Sequence, residues 1–388
     1  MKRIVLLILS VVLFAQESFA QKLTVKELKE KASNGDAEAQ FNLASVYGYG
    51  IGAEKDSKKA IKWCKKAIEN GEVKALSLLG NWYMVGNNVE KDGKKAKKYL
   101  EEAYQKGDVL AGIDLASLYY EGNGVKQDFK KVIEITEEVI NKATQPEVKA
   151  HACKNLAGMY MEGIGVEKDI NKFLEYTKKA AEFGDVESMA RLGLMYYIGD
   201  NGVKVDYKEA YKWNKEAAFK GDIGATYLMG RMHQRGEGTE MDLNKAVSFY
   251  EIAFNKGHIE SGVDLATIFC TSEEMKGEDK FEKAYKIAEF TAKEGSLRGK
   301  ELLASMYLFG AHVAKDTKKA FELYKELAEK DMPLSMFQLA TLYESGEGVT
   351  QDIKEALKWY RMAGKRGIEE AKEKARFLNE KLREENQN

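Results

Sequence analysis

Proline occurs twice in 388 residues, cysteine three times and histidine four times, and 61 basic residues face 62 acidic ones for a net charge of −1. Each shortage excludes something. So little proline leaves no proline-rich linker and few places where a helix must break. Near-zero net charge provides no field to gather nucleic acid or an anionic membrane surface. Long apolar runs are also lacking once the first 14 residues are passed, so no membrane span is expected in the mature chain. What remains, 44% hydrophobic and 32% charged residues, suits a helical chain with a solvated surface.

The first residues read differently from the rest. Lys2 and Arg3 precede an apolar run from Ile4 to Phe14, and Ser18-Phe19-Ala20 precede Gln21. Charged, apolar and small-residue regions in that order predict a secretory signal peptide over residues 1–20 with a cut near Ala20/Gln21, and hence a periplasmic or secreted protein.

The dominant feature is repetition. YGYGIGAEKDSKKAIKW at 47–63 returns as YMVGNNVEKDGKKAKKY, YYEGNGVKQDFKKVIEI and YMEGIGVEKDINKFLEY, and at the far end as SGEGVTQDIKEALKWY. The aspartates Asp56, Asp92, Asp128, Asp169, Asp206, Asp242, Asp279, Asp316 and Asp352 mark nine copies spaced 36, 37 or, once, 41 residues apart. A period of that length belongs to a solenoid.

The paired glycines of this turn, such as Gly346-x-Gly348, could be mistaken for a phosphate cradle. Nine copies at structural spacing argue for folding instead. The second glycine position holds Asn88, Asn201 or His312 in three copies, residues that tolerate positive φ, which points to a left-handed backbone. Each following aspartate is expected to cap a helix, with capping-box spacing at Asp206/Glu209 and Asp352/Glu355.

Two helices flank each turn. Upstream, small-x-x-x-Leu-small-x-x-Tyr (Ala39, Leu43, Ala44, Tyr47 in the first copy) makes one apolar stripe on helix A. Downstream, Ala60, Trp63, Ala67 and their counterparts predict the buried stripe of helix B. Glycines such as Gly71 and Gly107 end helix B. The three cysteines Cys64, Cys153 and Cys270 fall in units one, four and seven, too far apart for a disulfide, and read as buried thiols.

The whole pattern resembles the Sel-one-like repeat (SLR) family, relatives of the tetratricopeptide repeat, over residues 34–366. The resemblance implies an all-α fold: an α/α solenoid, wound as a right-handed superhelix, of about nine helix-turn-helix repeats. The mature chain, residues 21–388, is then a single solenoid with a capping helix at 24–33, repeats at 34–366 and a C-terminal capping helix at 367–385. Two departures stand out: Thr144-Gln145-Pro146 replaces a helix-ending glycine, and Cys270–Glu278 lacks the turn glycine.

Catalytic chemistry finds little support. His151, His233, His258 and His312 show no metal-like spacing, no serine has a lysine three residues on, and no cofactor motif is present. The resemblance implies a non-enzymatic scaffold or adaptor for a protein or peptide partner, at the cell envelope or in host contact. The alternative, from the cysteine-rich branch of the family, is a cell-wall-directed protein that binds or hydrolyses a β-lactam or peptidoglycan. By the tetratricopeptide-like alignment, the candidate concave interaction surface comprises Asn42, Tyr49, Asn81, Tyr120, Asn155, Arg191, Tyr197, Tyr227 and Arg231, with Arg191, Tyr197, Tyr227 and Arg231 as a hot spot.

Overall fold

A computed structural model of the chain describes residues 24–200, 202–273, 279–311 and 313–385. The expected signal peptide at 1–20 and the turn positions Asn201 and His312 lie outside the described residues. Among the described residues every regular element is a helix. Nine hairpins of an A helix and a B helix run from Ala37 to Lys365, preceded by the helix Val25–Ser33 and followed by Glu369–Glu385. The all-α solenoid expectation is met. The chain divides into two compact units, Met1–Val205 and Asp206–Asn388. The first holds repeats one to four and the fifth A helix; the second holds the fifth B helix and repeats six to nine.

One local arrangement recurs. An A helix leaves its last carbonyls without intrahelical partners, and its first turn glycine closes it in the left-handed region, as at Gly50 with φ 72°. The chain then reverses so that the backbone N–H of the capping aspartate donates to the carbonyl of the A-helix tyrosine. This bond runs from Asp56 to Tyr47 at 2.9 Å, from Asp92 to Tyr83 at 2.9 Å, from Asp169 to Tyr160 at 3.1 Å and from Asp316 to Tyr307 at 2.9 Å. The aspartate carboxylate meanwhile accepts from the amide two or three residues on, as from Lys59 and Lys95. One residue thus fills an orphan carbonyl of helix A and an orphan amide of helix B.

In six of the nine repeats a lysine stands three residues past the aspartate and completes the hairpin. Its ammonium lies over the tyrosine ring at 5.3 Å for Lys59 on Tyr47, 4.9 Å for Lys131 on Tyr119, 4.7 Å for Lys172 on Tyr160 and 4.1 Å for Lys319 on Tyr307. Cation and ring attract through the ring quadrupole, and the tyrosine face is covered without desolvating the charge.

Corrections to the sequence reading concern the B helices and the caps. The fully buried large side chain of helix B sits four residues past its small residue, at Cys64, Leu100, Tyr250, Tyr324 and Tyr360. The expected position three past it is half-buried at Trp63, Tyr99 and Phe249 but buried, as expected, at Trp213 and Trp359. The i, i+4, i+7 row points straight at helix A, and i+3 falls on its flank. Asp279 makes no side-chain cap and has helical rather than extended backbone angles, because the seventh repeat lacks the glycine turn that presents the aspartate. Glu209 and Glu355 do not return a capping-box bond: Glu209 accepts from the Trp213 indole and Glu355 pairs with Lys358. A full capping box occurs instead at Thr24 and Glu27. Cys64 and Cys153 are buried free thiols but Cys270 is half-buried.

Stacking of repeats uses the second turn glycine in a way the sequence did not show. A Cβ at Gly124 would press on the Gly93 backbone, one at Gly165 would overlap Phe129, and one at Gly238 would overlap the Tyr207 carbonyl. In each case the neighbour is the first residue of the preceding B helix. Where Asn88 stands instead, at φ 61°, its side chain donates to the Gly48 carbonyl and accepts from Ser57, both in the repeat before. Gly257, at φ 92°, has no such neighbour within 4 Å. Gly257→Ala is therefore expected to cost about 1 kcal/mol of left-handed strain alone. Gly238→Ala should cost more than about 2 kcal/mol, because strain and overlap combine. Urea titration of the two variants checks the order; equal losses would contradict the stacking role.

Candidate interaction surface

Positions two, three and six residues past the small residue of each A helix flank its core stripe. In the first unit they carry polar side chains that packing has mostly covered. Asn42, Asn81, Asp114, Ser117 and Asn155 are all buried. The Asn81 amide donates to Asp114 of the next A helix at 3.2 Å. One turn earlier Ser77 donates to Asp108, whose carboxyl burial pushes up. The Tyr49 ring stands edge-on to Trp82 at 6.4 Å, and burial raises its hydroxyl to about 12. Tyr120 is half-buried, edge-on to Phe129 at 5.6 Å.

Of the expected hot spot, the first unit contains Arg191 and Tyr197. Arg191 is exposed and 3.5 Å from Glu187 one turn back on its own helix, whereas Tyr197 is buried. The two do not form a common exposed patch. Asn42, Asn81, Asn155 and Tyr197 offer little side-chain area to a partner, and Asn81 instead ties its A helix to the next.

In the second unit Tyr227 and Arg231 do come together. The Arg231 guanidinium lies 5.9 Å from the Tyr227 ring, and the ring packs on His258 with centroids 4.5 Å apart. The Tyr227 hydroxyl donates to Asp264 of the seventh A helix at 2.8 Å. Burial, then the Asp264 charge, raises the Tyr227 hydroxyl above its ordinary value. Arg298 of the eighth A helix pairs with Asp264 and, at 3.1 Å, with Glu260, which also accepts from Ser296 at 2.7 Å. Asp264 keeps 14% of its side chain exposed and Arg298 48%. The result is a polar network across three successive A helices, with an aromatic ring and two guanidinium groups held in fixed positions.

Asp264, Glu260 and Arg298 were missed by sequence reasoning, although Asp264 stands three residues past Ser261, the same place as Asn42, Asp114, Asn155 and Arg191. That register was the available signal. Among the described residues no group of three or more His, Cys, Asp or Glu side chains is placed to hold a metal ion, and no helix is long and apolar enough to cross a membrane. Burial pushes the Cys64 and Cys153 thiols up to about 12, so neither is a nucleophile at neutral pH. A double-mutant cycle on Asp264→Ala and Arg298→Ala should return about 1 kcal/mol of coupling, because Asp264 is mostly shielded and both residues share further partners. The exposed Arg191 and Glu187 pair should return less than about 0.5 kcal/mol. Equal couplings would show that the network adds nothing to an ordinary surface pair.

A family model described as Sel1 repeat matches eight stretches: residues 37–72, 73–108, 111–131, 150–185, 186–222, 223–258, 301–332 and 333–368. The seventh hairpin is passed over, where the turn glycine and the cap are missing. Among curated proteins nothing matches. Solved structures with a similar course include a protective antigen of uropathogenic Escherichia coli displaying an SLR fold, 24% identical, covering 93% of this chain and 91% of that one with a TM-score of 0.48. A Sel1 repeat protein from Oxalobacter formigenes is 24% identical over 91% of this chain and 90% of that one, with a TM-score of 0.48. A Sel1 repeat protein from Klebsiella pneumoniae is 21% identical over 63% of this chain and 99% of that one, with a TM-score of 0.34. The matched repeats take in well over half of the chain and coincide with its helix hairpins: the protein belongs to the Sel1 repeat family.

Proposed function

We propose that this chain is an exported, non-enzymatic repeat scaffold that binds a protein partner through its A helices, at the bacterial cell envelope or in host contact. The Sel1 repeat fold is typically a protein-interaction scaffold, which supports the general class. The observation that carries the reading further is the network of Arg231, Tyr227, Asp264 and Arg298. Its side chains are ordered before any partner arrives, so less rotamer entropy is lost on binding. Tyrosine and arginine are also the residue types that dominate binding energy at interfaces. A guanidinium beside a ring suits a carboxylate on the partner, through a bidentate pair backed by the aromatic face.

Export is supported by the signal-like residues 2–21. The expectation is a mature N-terminus at Gln21 in protein recovered from the envelope or medium, read by mass spectrometry; an uncut chain in the cytoplasm would oppose it. For binding, Arg231→Ala should weaken capture of the native partner from an envelope fraction about tenfold, roughly 1.4 kcal/mol, with helical content and melting unchanged. Unchanged capture at matched folding would reject this surface. A labelled β-lactam should leave no adduct that survives denaturation; a covalent adduct would favour the cell-wall reading instead.

A further inference from the structure

In the sixth repeat histidine replaces the tyrosine on which the hairpin closes. Lys245 stands three residues past Asp242, as the lysine does in five other hairpins, and pairs with it at 3.2 Å. The Asp242 backbone N–H donates to the His233 carbonyl at 2.8 Å. The lock is therefore formed, but the lysine that elsewhere covers a neutral tyrosine ring here accompanies an imidazole.

That imidazole is enclosed. His233 is 3% exposed. Its ring stacks on Phe249 of the B helix at 5.6 Å and 8°, and meets Tyr211 of the preceding B helix edge-on at 5.7 Å. Its Nδ1 is buried with no hydrogen-bond partner. The charged groups acting on it are Lys245, which opposes a positive ring, and Asp242, which favours one; the Glu240 backbone adds a hydrogen bond that favours the cation, and Tyr211 and Phe249 present neutral rings. Burial outweighs the favourable contacts and holds the imidazole below its ordinary value.

We infer that His233 is an acid-sensitive latch: protonation of its ring opens the hairpin of Ile223–Arg235 and Leu243–Asn255 under mildly acidic conditions. The imidazolium carries N–H on both nitrogens. The new donor at the enclosed Nδ1 would face no acceptor, and a second cation would sit beside Lys245. Tyrosine at this position takes up no proton in the same range, so the other hairpins lack the device. The sign follows from linkage: a group kept neutral by the fold contributes fully above its unfolded value near 6.5. That contribution is lost as pH falls from there toward the lowered folded value. The same A helix carries Tyr227 and Arg231, so opening would also disturb the proposed interaction surface; that consequence rests on the scaffold reading, the latch itself does not.

The test compares the full chain with His233→Tyr by urea unfolding at pH 7.5, 6.5 and 5.5, followed by circular dichroism and tryptophan fluorescence. Both proteins retain His151, His258 and His312, so their contributions cancel in the difference. Relative to His233→Tyr, the wild-type unfolding constant for the transition of the second unit should rise at least about threefold between pH 7.5 and 5.5, below the limit of roughly tenfold per pH unit set by one proton. Parallel pH profiles would overturn the latch. Should His233→Tyr fail to fold, NMR titration of the native chain decides: loss of the His233 resonance together with the amides of its hairpin supports the proposal. Reversible titration near 6.5 with the hairpin intact rejects it. Partner capture that weakens at pH 5.5 in the wild type and not in the variant extends the latch to binding; a missing difference in capture, with the stability difference present, would fault the scaffold reading alone.

Discussion

Seven of the nine described hairpins close on one backbone hydrogen bond, from the N–H of a capping aspartate to the carbonyl of an A-helix tyrosine or, in the sixth, of His233. It spans nine residues, from Tyr47 to Asp56 or from Tyr343 to Asp352 at 3.0 Å, and it fixes where helix B starts relative to the end of helix A. Two further contacts accompany it. The aspartate carboxylate reaches the first amides of helix B, and the following lysine lies over the tyrosine ring. Because all three contacts are local, a hairpin that makes them specifies itself, and small residues such as Ala44 and Ala60 then let the paired helices close on one another.

Hairpins are joined by a different constraint. The second turn residue must lie in the left-handed region and also leave room for the first residue of the preceding B helix, which is why Gly124, Gly165 and Gly238 cannot carry a Cβ without overlap. Buried polar pairs add register: Asn81 to Asp114 in the first unit, Tyr227 to Asp264 in the second. Satisfied polar groups between A helices favour one stacking offset over others, since a shift would leave a buried amide or carboxylate unpaired. The same pairs account for the polar character of the candidate interaction surface, part of which is structural rather than open to a partner.

The helices, turns and caps were legible in the sequence because their determinants lie within about ten residues of each other and recur. Glycine at 50, tyrosine at 47 and aspartate at 56 announce a hairpin by spacing alone. Contacts made across 31 to 40 residues left no such mark, so Asn88 on Gly48 and Ser57 came only from the structure. In the first two repeats the B-helix core was read one position early, because Trp63 and Tyr99 drew attention from Cys64 and Leu100, which are fully buried; at Trp213 and Trp359 the reading holds. The interaction residues were half legible. Tyr227 and Arg231 sit together as their spacing on one helix implies, but Asn42, Asn81, Asn155 and Tyr197 are buried, and burial depends on neighbouring repeats rather than on the helix that carries them.

If the aspartate-to-tyrosine lock sets local stability, the hairpins should open independently and in an order fixed by how complete each lock is. Native-state hydrogen exchange on the full chain measures this directly. The account expects the amides of Asp56, Asp92, Asp128, Asp169, Asp316 and Asp352 to exchange among the slowest of their repeats. The seventh hairpin, where Asp279 makes no cap, should open at the lowest free energy. Uniform protection across all nine hairpins, lost in a single global step, would contradict it.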